Sequence, residues 1–163
     1  ADEERIFSRL DAMSGFLDVL GRQTGRLMQL GLEPEPFGHF HDTDGAIRFF
    51  NCLRNRSRRP ELIERHLGLT YDTCHFAILR EEPEFTLSAW EENNIALCKV
   101  QFSNALECRI CGEEDLERLR QFDDGVYFHQ TSILHREGSM LFPDLPNALA
   151  YGRDYAEEIR DSQ

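Results

Sequence analysis

Two side chains three residues apart, Asp72 and His75, stand where the apolar run Gly68-Leu69-Thr70-Tyr71 stops. A carboxylate offers a hard oxygen donor and an imidazole a borderline nitrogen donor, so one strand end can present both to a single divalent cation. Glu33 closes the mostly apolar stretch Leu27 to Leu32 and can supply a third ligand from a neighbouring strand. The expected metal set is therefore Glu33, Asp72 and His75, and the expected cofactor is Mn, Mg or Zn. A plainer reading of the same residues stays open, in which Asp72 caps the turn that follows it and His75 is a satisfied hydrogen-bonding histidine. Glu35 lies between Pro34 and Pro36, in a loop, where it can act as a general base or hydrogen-bond to a ligand. His75 is the other candidate proton carrier.

Gln101 and Ser103 share a face by the two-residue period and end the next apolar stretch, which makes them candidate contacts for a hydroxylated substrate. His129 and Gln130 interrupt the run Val126-Tyr127-Phe128 in a similar way and join that substrate-binding set. Cys108 and Cys111 form one C-x-x-C, and with Cys74 and Cys98 they allow a four-thiolate zinc site to be imagined. Their spacing matches no zinc ribbon or finger, and Cys74 and Cys98 read better as small packing residues. No Gly-rich phosphate loop, Gly-x-Ser-x-Gly elbow or His-Glu-x-x-His motif is present.

These residues need strands to end side by side. Leu27 to Leu32, Gly68 to Asp72 and Ile95 to Phe102 are apolar, strand-like runs that end in polar groups, and Val126 to Leu134 is a fourth candidate. Pro34 and Pro36 stop the first, because neither donates to a ladder. Helical sequence lies between: Glu3 to Leu20 with a stripe of Ile6, Leu10, Met13, Leu17 and Leu20; a helix capped by Asp42 or Thr43 with Ile47, Phe50 and Leu53 inward; a short turn after Pro60; Pro83 to Asn93; Glu113 to Phe122; and a last helix from Asp144 to about Arg160. Between His75 and Pro83 a loop is expected. Strand and helix alternating at this spacing predict an α/β protein with a parallel sheet and its site on one rim.

The chain of 163 residues is read as a single domain over 1–163. Its formal charge of -12 disfavours nucleic acid as a partner, and no segment approaches transmembrane length. Five cysteines without a repeated spacing and no apolar N-terminal segment point to a reduced, cytoplasmic protein.

Read together, Leu32-Glu33-Pro34-Glu35-Pro36-Phe37, Leu69-Thr70-Tyr71-Asp72-Thr73-Cys74-His75, Lys99-Val100-Gln101-Phe102-Ser103-Asn104-Ala105-Leu106, Phe128-His129-Gln130-Thr131 and Phe142-Pro143-Asp144-Leu145-Pro146 resemble the xylose isomerase-like TIM barrels. Within that family the match is closest to sugar-phosphate isomerase-like proteins of metabolite-traffic clusters. The resemblance implies a parallel (β/α) barrel, of which this chain covers the later part, since a full barrel takes roughly 250 residues. It implies a divalent metal on the barrel's C-terminal rim, with Glu33 and Asp72 at the family's metal-binding positions. His75 falls on a histidine that binds substrate in the epimerases and zinc in the related nucleases. Gln101 replaces the usual histidine, and the family's closing glutamate has no counterpart here. The implied activity is isomerisation or epimerisation of a small polyhydroxylated metabolite. The alternatives are a non-catalytic metabolite-binding or traffic protein and an endonuclease IV-like phosphodiesterase. A partial barrel would leave sheet edges to be covered by self-association or by the rest of the barrel.

Overall fold

Six consecutive buried residues, Leu67–Asp72, form the strand around which the first half of the chain is built. The structure is a computed structural model that describes residues 2–126, 129–135 and 138–161. The chain read as one domain divides into two compact units, Ala1–Asn104 and Ala105–Gln163.

In the first unit, β1 (Leu30–Leu32), β2 (Leu67–Asp72) and β3 (Ala96–Gln101) make a parallel sheet in the order β1-β2-β3. Gly31 faces Gly68 and Asp72 faces Gln101 in the register. Two glycines permit this close pairing. A Cβ at Gly68 would lie 2.3 Å from the Ala96 carbonyl oxygen, and one at Gly31 would lie 2.6 Å from Thr70 Oγ1. The core between sheet and helices holds Phe50, Leu53, Ile63, Leu69, Phe76 and Trp90, each nearly inaccessible to solvent. Tyr71 stacks on Phe76 at 4.5 Å between ring centroids, and Trp90 meets both edge-on.

The helices of this unit are α1 (Asp2–Thr24), α2 (Thr43–Arg56), α3 (Pro60–His66), α4 (Thr73–Leu79) and α5 (Pro83–Glu92). Asp42 caps α2, its Oδ1 accepting from Gly45 N at 2.6 Å. The Glu81 carboxylate reaches the same helix start and accepts from Thr43 N at 3.1 Å and from the Thr43 hydroxyl. The expected stripe on α1 holds in part: Leu10 and Leu17 pack against the core, whereas Phe7 and Ser14 are the buried positions and Ile6 and Met13 stay exposed. A small serine at the contact, with its hydroxyl returned to the Asp11 carbonyl at 2.8 Å, lets the helix approach its neighbours more closely than a methionine would.

The second unit holds α6 (Glu113–Arg120), β4 (Thr131–His135), β5 (Gly138–Phe142) and α7 (Leu145–Asp161). β4 and β5 pair antiparallel, and Leu116, Leu145 and Leu149 form a small core with Leu119 against it.

The architecture corrects the expected barrel. Among the described residues there are seven helices, a three-stranded parallel sheet and a separate two-stranded antiparallel sheet, with no closed (β/α) barrel of the xylose isomerase-like type. Only two residues separate β4 from β5, whereas a parallel partner needs a crossover of a dozen residues or more, so the fourth strand folds into a hairpin. That strand begins at Thr131, after His129 and Gln130; Tyr127 and Phe128, counted in the expected strand, lie outside the described residues. The expected loop after His75 is the helix α4 instead.

Candidate functional site

β2 ends where α4 begins, and Asp72 belongs to both. Its backbone is extended and its Oδ1 accepts from Cys74 N at 3.0 Å, so it caps α4. The Ser103 hydroxyl donates to the same oxygen, and Gln101 Nε2 donates to Oδ2 at 2.9 Å. Lys99 Nζ in turn donates to Gln101 Oε1, so β3 orients the carboxylate through a relay of two side chains. Ser103 also receives Cys74 N at 3.1 Å, and Thr73 Oγ1 donates to the Ser103 carbonyl at 2.6 Å, which ties the end of β3 to the first turn of α4.

Asp72 is only 8% exposed. Burial pushes its carboxyl up, but the hydrogen bonds from Ser103 and Cys74 outweigh it and hold the group below the usual carboxylate range. The Cys74 thiol moves the other way. Burial raises it first, with the Asp72 and Glu33 charges adding to the effect, so without a cation it stays protonated.

His75 lies one residue further along α4. Its Nδ1 is 3.1 Å from the Pro34 carbonyl oxygen and 3.4 Å from Glu33 Oε1. Both neighbours only accept, so Nδ1 carries the hydrogen, and in the neutral ring Nε2 is the nitrogen with the lone pair. One donor atom each from Asp72, Cys74 and His75 lie within 4.8 Å of one another. That is the group among the described residues whose atoms could share an ion.

A comparison with protein-family models, curated proteins and solved structures found no match.

Of the expected ligands, Asp72 and His75 come together, while Glu33 is outside the three-residue group and reaches it through His75. Glu33 follows β1 rather than ending it, because the strand stops at Leu32. Glu33 and Glu35 are exposed while Pro34 and Pro36 are buried, and the chain turns from Glu35, whose carbonyl receives Gly38 N at 2.8 Å. Gln101 and Ser103, expected to touch substrate, direct hydrogen bonds to Asp72. His129 and Gln130 belong to the second unit, where His129 Nδ1 is 2.9 Å from Asp144 Oδ1. That carboxylate raises the His129 imidazole above the ordinary histidine range.

Cys74, read from the sequence as a small packing residue and not as a partner of Asp72 and His75, is the third member of the group. As a strand residue it packs as a small hydrophobe; as the second residue of α4 it shares a helical turn with His75. The capping aspartate followed by a turn-forming threonine was the available signal. The three donors are one oxygen, one sulfur and one nitrogen, which suits a borderline cation such as Zn better than Mg or Mn, whose preferred shells are oxygen. Asp72 Oδ2 accepts one hydrogen bond from Gln101 and keeps a second lone-pair direction for a cation.

Proposed function

We propose that the protein is a divalent-metal-dependent isomerase or epimerase of the sugar-phosphate kind, acting on a small polyhydroxylated metabolite at the C-terminal end of the β1-β2-β3 sheet. The observation that carries this reading is the convergence of Asp72, Cys74 and His75 at the end of a buried parallel strand. When bound there, a divalent cation supplies Lewis-acid polarisation of a carbonyl and its neighbouring hydroxyl.

The chain's own residues do the remaining work. Asp72, Cys74 and His75 would hold the cation, and Pro34 and Glu33 fix the imidazole through Nδ1. Lys99, Gln101 and Ser103 keep the Asp72 carboxylate in place. A carboxylate of the Glu33 to Glu35 segment takes the proton next to the substrate carbonyl and returns it to the adjacent position, with Glu33 held beside His75. We place the protein in the reducing cytoplasm, where the Cys74 thiol stays available. No helix among the described residues is long and apolar enough to cross a membrane.

A second reading, a metabolite-binding protein without catalysis, is favoured by one observation. Asp72 already accepts three hydrogen bonds and caps α4, so its geometry has a structural reason to exist without an ion. One experiment separates the two. The full chain is titrated with Zn²⁺ and Mn²⁺ by calorimetry, alongside Cys74→Ser and His75→Gln, and solvent deuterium incorporation into candidate aldoses, ketoses and their phosphates is followed. The enzyme reading expects Zn²⁺ binding that each variant weakens about tenfold or more, and metal-dependent deuterium uptake next to the carbonyl. Sugar binding that is indifferent to metal, without exchange, would leave only the second reading.

A further inference from the structure

The opposite end of the same sheet holds a second fixed imidazole. His66 closes α3 just ahead of β2 and is 1% exposed. Its Nδ1 lies 2.8 Å from the Met28 carbonyl oxygen, which can only accept, so Nδ1 carries the hydrogen. Nε2 is sealed from solvent and has no hydrogen-bond partner. A charged neighbour, Asp18 Oδ1, stands 3.6 Å away, beyond hydrogen-bonding reach, and the other oxygen of that carboxylate is engaged by Arg22.

His66 lines a cleft of about 240 Å³ together with Asp18, Gly21, Arg22, Arg26 and Arg65. Three backbone acceptors in and beside its wall are already used. The Leu20 carbonyl receives the Thr24 hydroxyl at 2.8 Å, the Gly21 carbonyl receives Gly25 N at 2.9 Å, and the Arg65 carbonyl receives Gln29 Nε2 at 3.3 Å. Apart from Asp18 Oδ1, the side-chain groups that remain are donors. Arg26 and Arg65 line the cleft and carry no ion pair among the described residues, so beside the paired Arg22 and Asp18 two arginines remain without a counter-charge in a protein whose net charge is -12.

We propose that this cleft binds a small tetrahedral oxyanion, inorganic phosphate or the phosphate group of a phosphorylated metabolite, with Arg26 and Arg65 as its principal ligands and His66 Nε2 as the inner contact. Guanidinium groups match phosphate oxygens two by two. Hydrogen phosphate also carries both a hydroxyl and bare oxygens, so it meets Nε2 in either protonation state, donating to the neutral ring or accepting from the charged one. Nε2 is sealed from solvent, so contact with it requires a neighbouring side chain to shift. The cleft is smaller than the usual range for drug-sized ligands, which suits a small anion. Six residues of β2 separate the two ends, roughly 20 Å, so the anion is no ligand of the proposed cation and the inference stands without it.

The test uses the full chain and sodium phosphate, at constant ionic strength, followed by ¹H–¹⁵N NMR. Saturable shifts are expected at the Gly21, Gly25, Arg65 and His66 amides, with Asp72 to His75 unmoved, and sulfate should compete where chloride does not. The double variant Arg26→Ala/Arg65→Ala replaces two exposed side chains and should weaken binding about tenfold or more with the spectrum otherwise preserved. Glycerol phosphate in place of inorganic phosphate identifies the source: tighter binding assigns the site to a phosphorylated metabolite, equal binding to the free ion. Absence of saturable shifts, shifts scattered over other arginine-bearing surface, or a double variant that binds as well as the parent would overturn the proposal.

Discussion

His66 and His75 flank the same strand, and the chain fixes both by one device. The residue before β2 gives Nδ1 to a carbonyl ahead of β1, and a residue after β2 gives Nδ1 to a carbonyl behind β1, at 2.8 Å from Met28 and 3.1 Å from Pro34. In each case Nε2 is the nitrogen left over. The surroundings then diverge: Asp72, Cys74 and Glu33 gather around His75, whereas Arg22, Arg26 and Arg65, with one carboxylate, Asp18, line the cleft at His66. An imidazole is thus neutral as to ligand class, and the neighbouring charges decide whether a sheet end suits a cation or an anion.

The comparison breaks completely if the strand pairing breaks. Gly68→Ala would drive a methyl group to 2.3 Å from the Ala96 carbonyl and 2.6 Å from Cys98 Sγ. Neither backbone can yield without parting β2 from β3, so a loss of about 3 kcal/mol or more in denaturant unfolding is expected, with both histidine environments perturbed in NMR. A stable variant with an unchanged spectrum at both histidines would show that the pairing does not couple the two ends.

Asp72→Ala disturbs one end only. It removes the cap of α4 and strands the Gln101 and Ser103 donors, which together should cost about 2 kcal/mol. The His66 resonances should stay in place; if they shift as far as those of His75, the two ends are not independent. Acid acts through the same residue. The folded Asp72 carboxyl lies below its ordinary range, so its contribution is complete above the unfolded-chain value and disappears as pH falls through the lower folded one. Unfolding midpoints taken from about pH 5 down to about pH 2 should therefore fall more steeply for the parent than for Asp72→Asn. Parallel curves would mean that the hydrogen bonds to this carboxylate do not favour its charged form.

The smallest effect sharpens the contrast with a third histidine. His129 is held by the Asp144 carboxylate rather than by a carbonyl, and its imidazole titrates above the ordinary range. Because the folded value is the raised one, the charge pair contributes below the unfolded value and is lost as pH rises through the folded value. An NMR titration should show the His129 midpoint fall in Asp144→Asn; a midpoint indifferent to that change would remove the carboxylate as its cause.

Much of the first unit was legible in local pattern. The apolar run ending at Asp72, the prolines closing the segment after Leu32, the Asp42 cap and the Pro83 helix start are short-range signals, and each appears where its chemistry requires. The site was legible in part. Asp72 and His75 stand together, yet the loop expected after them is a helix, and that change of period is what brings Cys74 into the group in place of Glu33. The barrel was misread because apolar runs report strands without reporting their partners. Thr131 to His135 satisfies a strand pattern equally well beside a parallel neighbour or in a hairpin.

Residue types and local spacing by themselves determined where strands stop, which helices start and that an acid and an imidazole would close the central strand. Tertiary structure alone decided the rest: that β1 and β3 pair with β2, that Gln101 and Ser103 hold Asp72, and that His66 is buried beside a cleft that arginines help to line. The physical reason is range. Capping and periodicity act within a turn or two of the chain, whereas convergence of Asp18, Gly21, Arg26 and His66 on one cleft depends on packing that brings together residues distant in sequence.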